Sequence, residues 1–294
     1  MRIATRGSDL ALWQARWVQQ ALEAKGATEI ELHVVKTQGD VVQDRALTQL
    51  EGKGFFSREI EAALLDGAAD VAVHSYKDLP TQQPPQLVVA AVPARAATND
   101  LLIVREEVAD SRGATLPLAP AARVGTGSAR RIAQLLHIRP DLTVVDLRGN
   151  VPTRVRKLRD RQYDAIVLAK AGLDRLEVDL GGMVVVDLWP SGFLPAPAQG
   201  ALAIQCRRDD SETNSLLRGL HDDVTATCVA AERYLLTLFE GGCSLPLGCA
   251  ASLDDAGIEL RARWLAGEGD MRTCCVRADD PRAAAEAAHG ALTT

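Results

Sequence analysis

The sequence has no excess of positive charge, no apolar run long enough to cross a bilayer, no CxxC pair and no phosphate-binding GxxxxGK[ST] loop. Each absence excludes a class. A formal charge of −6 argues against nucleic acid as a general partner. Without an apolar run of leader or membrane-spanning type, the chain reads as cytoplasmic with no membrane partner. Cys206, Cys228, Cys243, Cys249, Cys274 and Cys275 have no metal-ligand spacing, and a reducing compartment disfavours disulfides. There is also no repeat of fixed period and no low-complexity block.

What is present is ordinary for a globular protein with real cores: 294 residues, 47% hydrophobic and 24% charged, enough for two domains or three small ones. Strand-like Arg2 to Thr5 leads to Ser8, a helix cap, and a helix carrying Leu10, Trp13, Trp17 and Ala21 on one face up to Gly26. Strand 31–36 precedes a long polar loop, Gln38 to Gly54, whose length suits a lid. Ser57 caps the next helix, and strands at 71–73 and 87–92 continue an α/β alternation. Linkers at 93–99 and 190–197 bracket a second α/β run. Strand 201–206, two helices over 211–239, three strands and an Ala-rich helix from Arg282 close the chain as a small α+β unit.

The chemistry concentrates where strands end. Val71-Ala72-Val73-His74-Ser75-Tyr76-Lys77-Asp78-Leu79-Pro80 runs from a buried strand into a polar turn stopped by proline. In open α/β sheets ligands sit beyond the carboxyl ends of strands, so Lys77 offers a cation and Asp78 a carboxylate for proton transfer or cation stabilisation. Four loops place arginines in the same setting. They are Arg6-Gly7-Ser8, Val124 to Arg131 (with Thr126, Ser128, Arg130 and Arg131), Leu147 to Arg154 (with Arg148, Asn150 and Arg154), and Ala171 to Arg175. Backbone N–H groups at helix starts favour anions, and arginine forks suit carboxylates. In an acidic protein this points to a cleft for a multiply carboxylated or phosphorylated ligand. Cys243 stands apart from the other cysteines, in the glycine- and proline-punctuated loop Glu240 to Gly248.

Seven ordered stretches together resemble the porphobilinogen deaminase family: Arg2 to Ser8, Gly52-Lys53-Gly54, Asp70 to Pro80, Val124 to Arg131, Leu147 to Arg154, Ala198-Gln199-Gly200-Ala201 and Glu240 to Gly248. The resemblance implies an enzyme that condenses four porphobilinogen molecules head to tail, releases ammonia each time, and hydrolyses off hydroxymethylbilane. It implies a dipyrromethane cofactor joined by a thioether to Cys243. It implies two α/β lobes like those of periplasmic binding proteins, spanning 1–96 with 200–216 and 99–194, and a cofactor-carrying α+β domain at 219–294. It further implies a monomer.

Carried over position by position, Asp78 is the catalytic acid, stabilising the azafulvenium cation left when ammonia departs. Lys77, Arg6, Ser8, Thr126, Ser128, Arg130, Arg131, Arg148, Arg154 and Arg175 hold acetate and propionate groups, and Lys53, Phe56, Ser75, Asn150 and Gln199 complete the set. Departures are Gly127 where many members have serine, Asp9 where many have proline, Ala129 for a frequent leucine and Ala198 for a usual glycine. Two other readings stay open at this stage. One is a two-lobed anion receptor, which would need neither Cys243 nor the Lys77-Asp78 pair. The other is a pyridoxal phosphate enzyme using Lys77 as a Schiff base.

Overall fold

Ile3, Ala4 and Thr5 are fully buried in strand β1 (Arg2–Arg6), because parallel sheets are covered on both faces. The structure, a computed structural model, describes residues 1–37, 57–110, 116–189, 192–240, 245–267 and 269–294. The predicted lid at Gln38 to Gly54, with Lys53, Phe56 and Cys243, lies outside the described residues, as do 190 and 191 of the second linker.

Helix α1 (Asp9–Glu23) begins at Ser8, whose hydroxyl accepts from Ala11 N at 3.4 Å. Asp9 places a negative charge in the first turn, where the helix dipole favours it. The stripe of Leu10, Trp13, Trp17 and Ala21 is not the one that meets the core. Ala11, Ala15, Val18 and Leu22 are buried instead, since two alanines let the helix lie close on the sheet, while Trp17 is exposed. Strand β2 (Glu31–Val35), helix α2 (Arg58–Leu65), β3 (Val71–Ser75) and β4 (Leu87–Ala91) follow. Ser57 stands at the N-cap of α2, yet its hydroxyl makes no cap bond.

The chain then crosses to a second sheet through β5 (Asp100–Arg105), β6 (Arg123–Gly125), α3 (Ala129–Ile138), β7 (Thr143–Val145), α4 (Val151–Arg159), β8 (Ala165–Ala169), α5 (Lys170–Arg175) and β9 (Met183–Asp187). It returns to the first sheet as β10 (Leu202–Arg207), followed by α6 (Ser211–Arg218). The strand orders are β2-β1-β3-β10-β4 and β7-β6-β8-β5-β9. These are the same arrangement: second, first and third strands, then an inserted antiparallel strand, then the fourth. In each sheet the inserted strand is the one that arrives from the other sheet. This is the two-lobed α/β layout the family resemblance implied, and the repeat exists in topology though not in sequence.

Helix α7 (Asp223–Leu238), antiparallel β11 (Leu247–Asp254), β12 (Gly257–Gly267) and β13 (Asp270–Ala278), and α8 (Pro281–Thr293) form the small third unit. Its core joins Leu235 to Ile258, Leu260, Ala285 and Leu292. Cys249 in β11 and Cys228 in α7 are buried, and burial raises both thiols.

All three units meet at the linkers. Arg95, in the first linker, donates to both carboxylate oxygens of Glu232 on α7 at 2.8 Å, and its Nε donates to Gln199 O at 2.8 Å. Glu232 also accepts from Ala198 N at 2.7 Å and Ala251 N at 2.8 Å. This fully buried carboxylate therefore ties together both linkers, α7 and β11. Ala198 and Gly200 take left-handed backbone at φ 60° and 88°. A Cβ on Gly200 would lie 2.6 Å from Ala96 O, so the two linkers pack too closely there for any side chain.

Candidate active site

The carboxyl ends of β1, β3 and β4 and the start of β10 share one edge of the first sheet, and those of β6, β7 and β8 share the corresponding edge of the second with the start of β5. Both linkers leave from these edges. Every described candidate from the sequence lies at these edges, in the loops beyond them or on the helices into which those loops lead.

Beyond β3, Tyr76–Asp78 forms one 3-10 turn. Arg233 of α7 clamps it, with Nη1 donating to Tyr76 O (3.1 Å) and Leu79 O (2.9 Å) and Nη2 to Pro80 O (2.8 Å). The guanidinium also lies 4.3 Å from the Tyr76 ring centroid. Asp78 stays exposed. Lys77 Nζ reaches Gln199 Oε1 at 3.5 Å. Burial pushes the Lys77 ammonium below its ordinary range and Arg131 and Arg130 add to this, against the opposing pull of Asp78 and Asp100.

In the second lobe, Thr126 is buried and its hydroxyl accepts from Ser128 N at 3.2 Å, shaping the turn into α3. Arg130 and Arg131, on the first turn of α3, point into the protein and share Asp100. Arg130 Nη1 lies 2.7 Å from Oδ2, and Arg131 Nη2 lies 2.7 Å from Oδ1. Arg130 also donates to Leu194 O at 2.6 Å and Arg131 to Val167 O at 2.9 Å. Burial alone would raise the Asp100 carboxyl, but the two guanidiniums outweigh it and hold it well below the usual range. Gln199 Nε2 bonds the same carboxylate at 3.0 Å, so a polar chain runs from Lys77 through Gln199 and Asp100 to both arginines.

Arg154 Nε donates to Gly149 O at 2.7 Å. Burial, with Arg131 next, lowers Arg154 to about 10, while Asp78 across the lobes opposes the shift. Asn150 caps α4, its Oδ1 accepting from Thr153 N at 2.9 Å, so that oxygen is already committed. Arg148 contacts Asp146 at 3.4 Å.

Two further groups of candidates extend beyond these residues, and Asp78 belongs both to the first of them and to the cluster. Arg6, Ser8, Ser75 and Asp78 line a cavity of ≈ 80 Å³ with Gln14 and His74, and Gln14 pairs with Ser75 Oγ at 2.9 Å. Arg175 donates to Gly200 O at 2.8 Å and lies 5.7 Å from the Trp13 ring centroid, at an open crevice between α5 and α1.

Sequence reasoning missed Asp100, Gln14, Glu232 and Arg233. Asp100 left a readable signal, a lone acid opening the apolar strand Asp-Leu-Leu-Ile-Val directly after a linker. Glu232 and Arg233 lie 137 and 157 residues from Arg95 and Tyr76, and no local pattern links positions so far apart.

The cluster is net positive, with Lys77, Arg130, Arg131, Arg148 and Arg154 outnumbering Asp78, Asp100 and Asp146. Arg130 Nε, Arg131 Nε and Arg148 Nη2 are buried with no hydrogen-bond partner among the described residues. Buried donors need partners, and multiple ligand carboxylates would supply them. The residues present thus fit a polycarboxylated pyrrole cofactor.

The porphobilinogen deaminase dipyromethane cofactor binding domain matches residues 1–215, and the porphobilinogen deaminase C-terminal domain matches residues 226–288. The porphobilinogen deaminase of Syntrophotalea carbinolica is 47% identical over 262 residues, covering 88% of this chain and 81% of that protein. The porphobilinogen deaminase of Nitratidesulfovibrio vulgaris is 45% identical over 276 residues, covering 92% and 85%. That of Syntrophobacter fumaroxidans is 43% identical over 284 residues, covering 96% and 89%. With an arginine-rich cluster that suits such a ligand and matches running through all three structural units, the chain belongs to the porphobilinogen deaminase family.

Proposed function

We propose that the chain is a hydroxymethylbilane synthase in which Asp78 serves the reacting centre and the arginines grip the carboxylates. In each cycle the aminomethyl C–N bond of porphobilinogen breaks, ammonia leaves, a carbon–carbon bond forms to the growing chain, and the attacked pyrrole carbon loses its proton. After four cycles water releases the tetrapyrrole. The observation that carries this reading is the exposed Asp78 carboxylate at the end of the turn whose carbonyls Arg233 clamps, within electrostatic reach of Lys77 and Arg154. A fixed carboxylate at that place stabilises the positive charge that develops as ammonia departs and takes up protons in turn.

Dipyrromethane, when bound through Cys243, supplies the pyrrole carbon on which the chain is built. Arg130 and Arg131 would hold it, since Asp100 fixes both side chains and leaves one Nε of each facing no partner among the described residues. Arg154, Lys77, Thr126 and Ser128 belong to the same grip. Arg6, Ser8, Arg148 and Arg175 take incoming substrate, with Ser75, Gln199 and Asn150 supporting from their hydrogen-bonded positions. Lys53 and Phe56 keep their proposed contacts from the family resemblance.

The domains are 1–96 with 200–216, 99–194 and 219–294, hinged at the linkers. In this reading the enzyme works as a monomer in the cytoplasm, as the family likeness suggests. Asp78→Asn tests the reading. Ammonia release and bilane formation should fall by about 10²–10⁴-fold while the fold is kept. Near-normal rates would reduce Asp78 to a structural turn residue.

A further inference from the structure

Among the described residues two carboxylates, Asp100 and Asp146, stand beside the arginines in addition to Asp78, and they are bound in opposite ways. Asp100 is fully buried and makes two 2.7 Å ion pairs and a 3.0 Å bond from Gln199. Asp146, just beyond β7, leaves its side chain 53% exposed and makes one long contact, 3.4 Å from Oδ2 to Arg148 Nε. Charge-assisted bonds are normally about 2.7–2.9 Å, so this pair is loose. Its main chain is fixed nonetheless, because Tyr163 Oη donates to Asp146 O at 2.8 Å, and Lys157 Nζ donates to Arg148 O at 3.1 Å. Both side chains can therefore swing from fixed roots. Arg148 also keeps Nη2 buried without a partner among the described residues.

Gly127 explains how an acid fits here. A Cβ at 127 would lie 2.5 Å from Asp146 Oδ1, so the carboxylate occupies the space above the glycine. The backbone at Gly127 is not left-handed, so space rather than conformation is what glycine supplies.

We propose that Asp146 is a resident counter-anion for Arg148, displaced by a ligand carboxylate on binding and returning when it leaves, and that Gly127 makes room for it. This rests on the functional reading above, in which the ligand is a growing chain of pyrrole dicarboxylates. Such a chain must be gripped and released repeatedly. A guanidinium that exchanges one carboxylate for another is never left uncompensated, and its net hold on each incoming unit is weak. The Asp146 charge also bears on Arg154, so its removal strengthens the anion field on both sides of the loop.

The test uses the holoenzyme with porphobilinogen. Asp146→Asn is nearly isosteric and half-exposed, so its melting temperature should match wild type. KM should fall by about 3- to 10-fold, kcat should fall with it, and native mass spectrometry after limited loading should show more retained enzyme–oligopyrrole complexes. Gly127→Ser should shift both readouts the same way and add nothing in the Asp146→Asn background. Should Gly127→Ser not fold, Asp146→Ser carries the comparison. An Asp146→Asn enzyme with unchanged or raised KM and a wild-type pattern of retained complexes would overturn the inference alone. A wild type that forms no bilane would overturn the functional reading and this inference with it.

Discussion

Arg95 and Glu232 meet fork to fork, with both guanidinium nitrogens 2.8 Å from the two carboxylate oxygens. The arginine is in a linker and the glutamate is on α7, so one buried ion pair couples the connection between the lobes to the third unit. Burial alone would lower the arginine, but the Glu232 charge outweighs it and raises Arg95 above its ordinary value. Breaking such a pair from one side strands the other charge in the interior. Glu232→Gln should cost roughly 3–5 kcal/mol of stability. Urea unfolding measures it, and a double variant with Arg95→Met should lose less than the sum of the two singles. A loss under about 1 kcal/mol would show that water reaches the pair.

His74 gives the first lobe a pH dependence. It is buried beside Gln205, Nε2 to Oε1 at 3.1 Å, and desolvation lowers it from 6.5 to about 4 despite that bond. Below pH 6.5 the unfolded chain takes up a proton that the folded chain refuses until about pH 4. Stability is therefore lost as pH falls through this window, by roughly 3 kcal/mol at most, and the His74 contribution is flat above it. His74→Gln should remove this slope from unfolding free energies measured at several pH values. Identical slopes in variant and wild type would assign the dependence to other groups.

Arg233 acts on the chemistry through position. Arg233→Lys cannot reach three carbonyls at once, so the Tyr76–Asp78 turn loosens while the charge remains. Turnover should fall by about 10²-fold, with KM nearly unchanged, because misplacing a catalytic group by about 1 Å costs this much. A rise in KM with kcat retained would instead place Arg233 in substrate binding.

The positions of strands and helices were legible because apolar runs and glycine or proline stops are local signals. Strand β3 and its polar exit, and the anion loops at 124–131 and 147–154, follow from such signals. Helical periodicity groups Leu10, Trp13, Trp17 and Ala21 on one face of α1 but does not say what that face meets, and Trp13 lies over Arg175 of the other lobe rather than in the core. Arg130 and Arg131 read as two anion-binding groups. The structure adds that each already shares Asp100, which no spacing rule anticipates. The identical strand order of the two sheets was also beyond the sequence. Topology is set by which faces need covering, and many sequences meet that need.

In the proposed function this arginine cluster serves a dipyrromethane carried on Cys243. The most direct measurement is the intact mass of the denatured protein, followed by mapping of the modified peptide. The expected excess equals two porphobilinogen units less two molecules of ammonia, all of it on the peptide containing Cys243 and all of it absent from Cys243→Ser. An unmodified mass, or an adduct on Cys249 or any other cysteine, would contradict it.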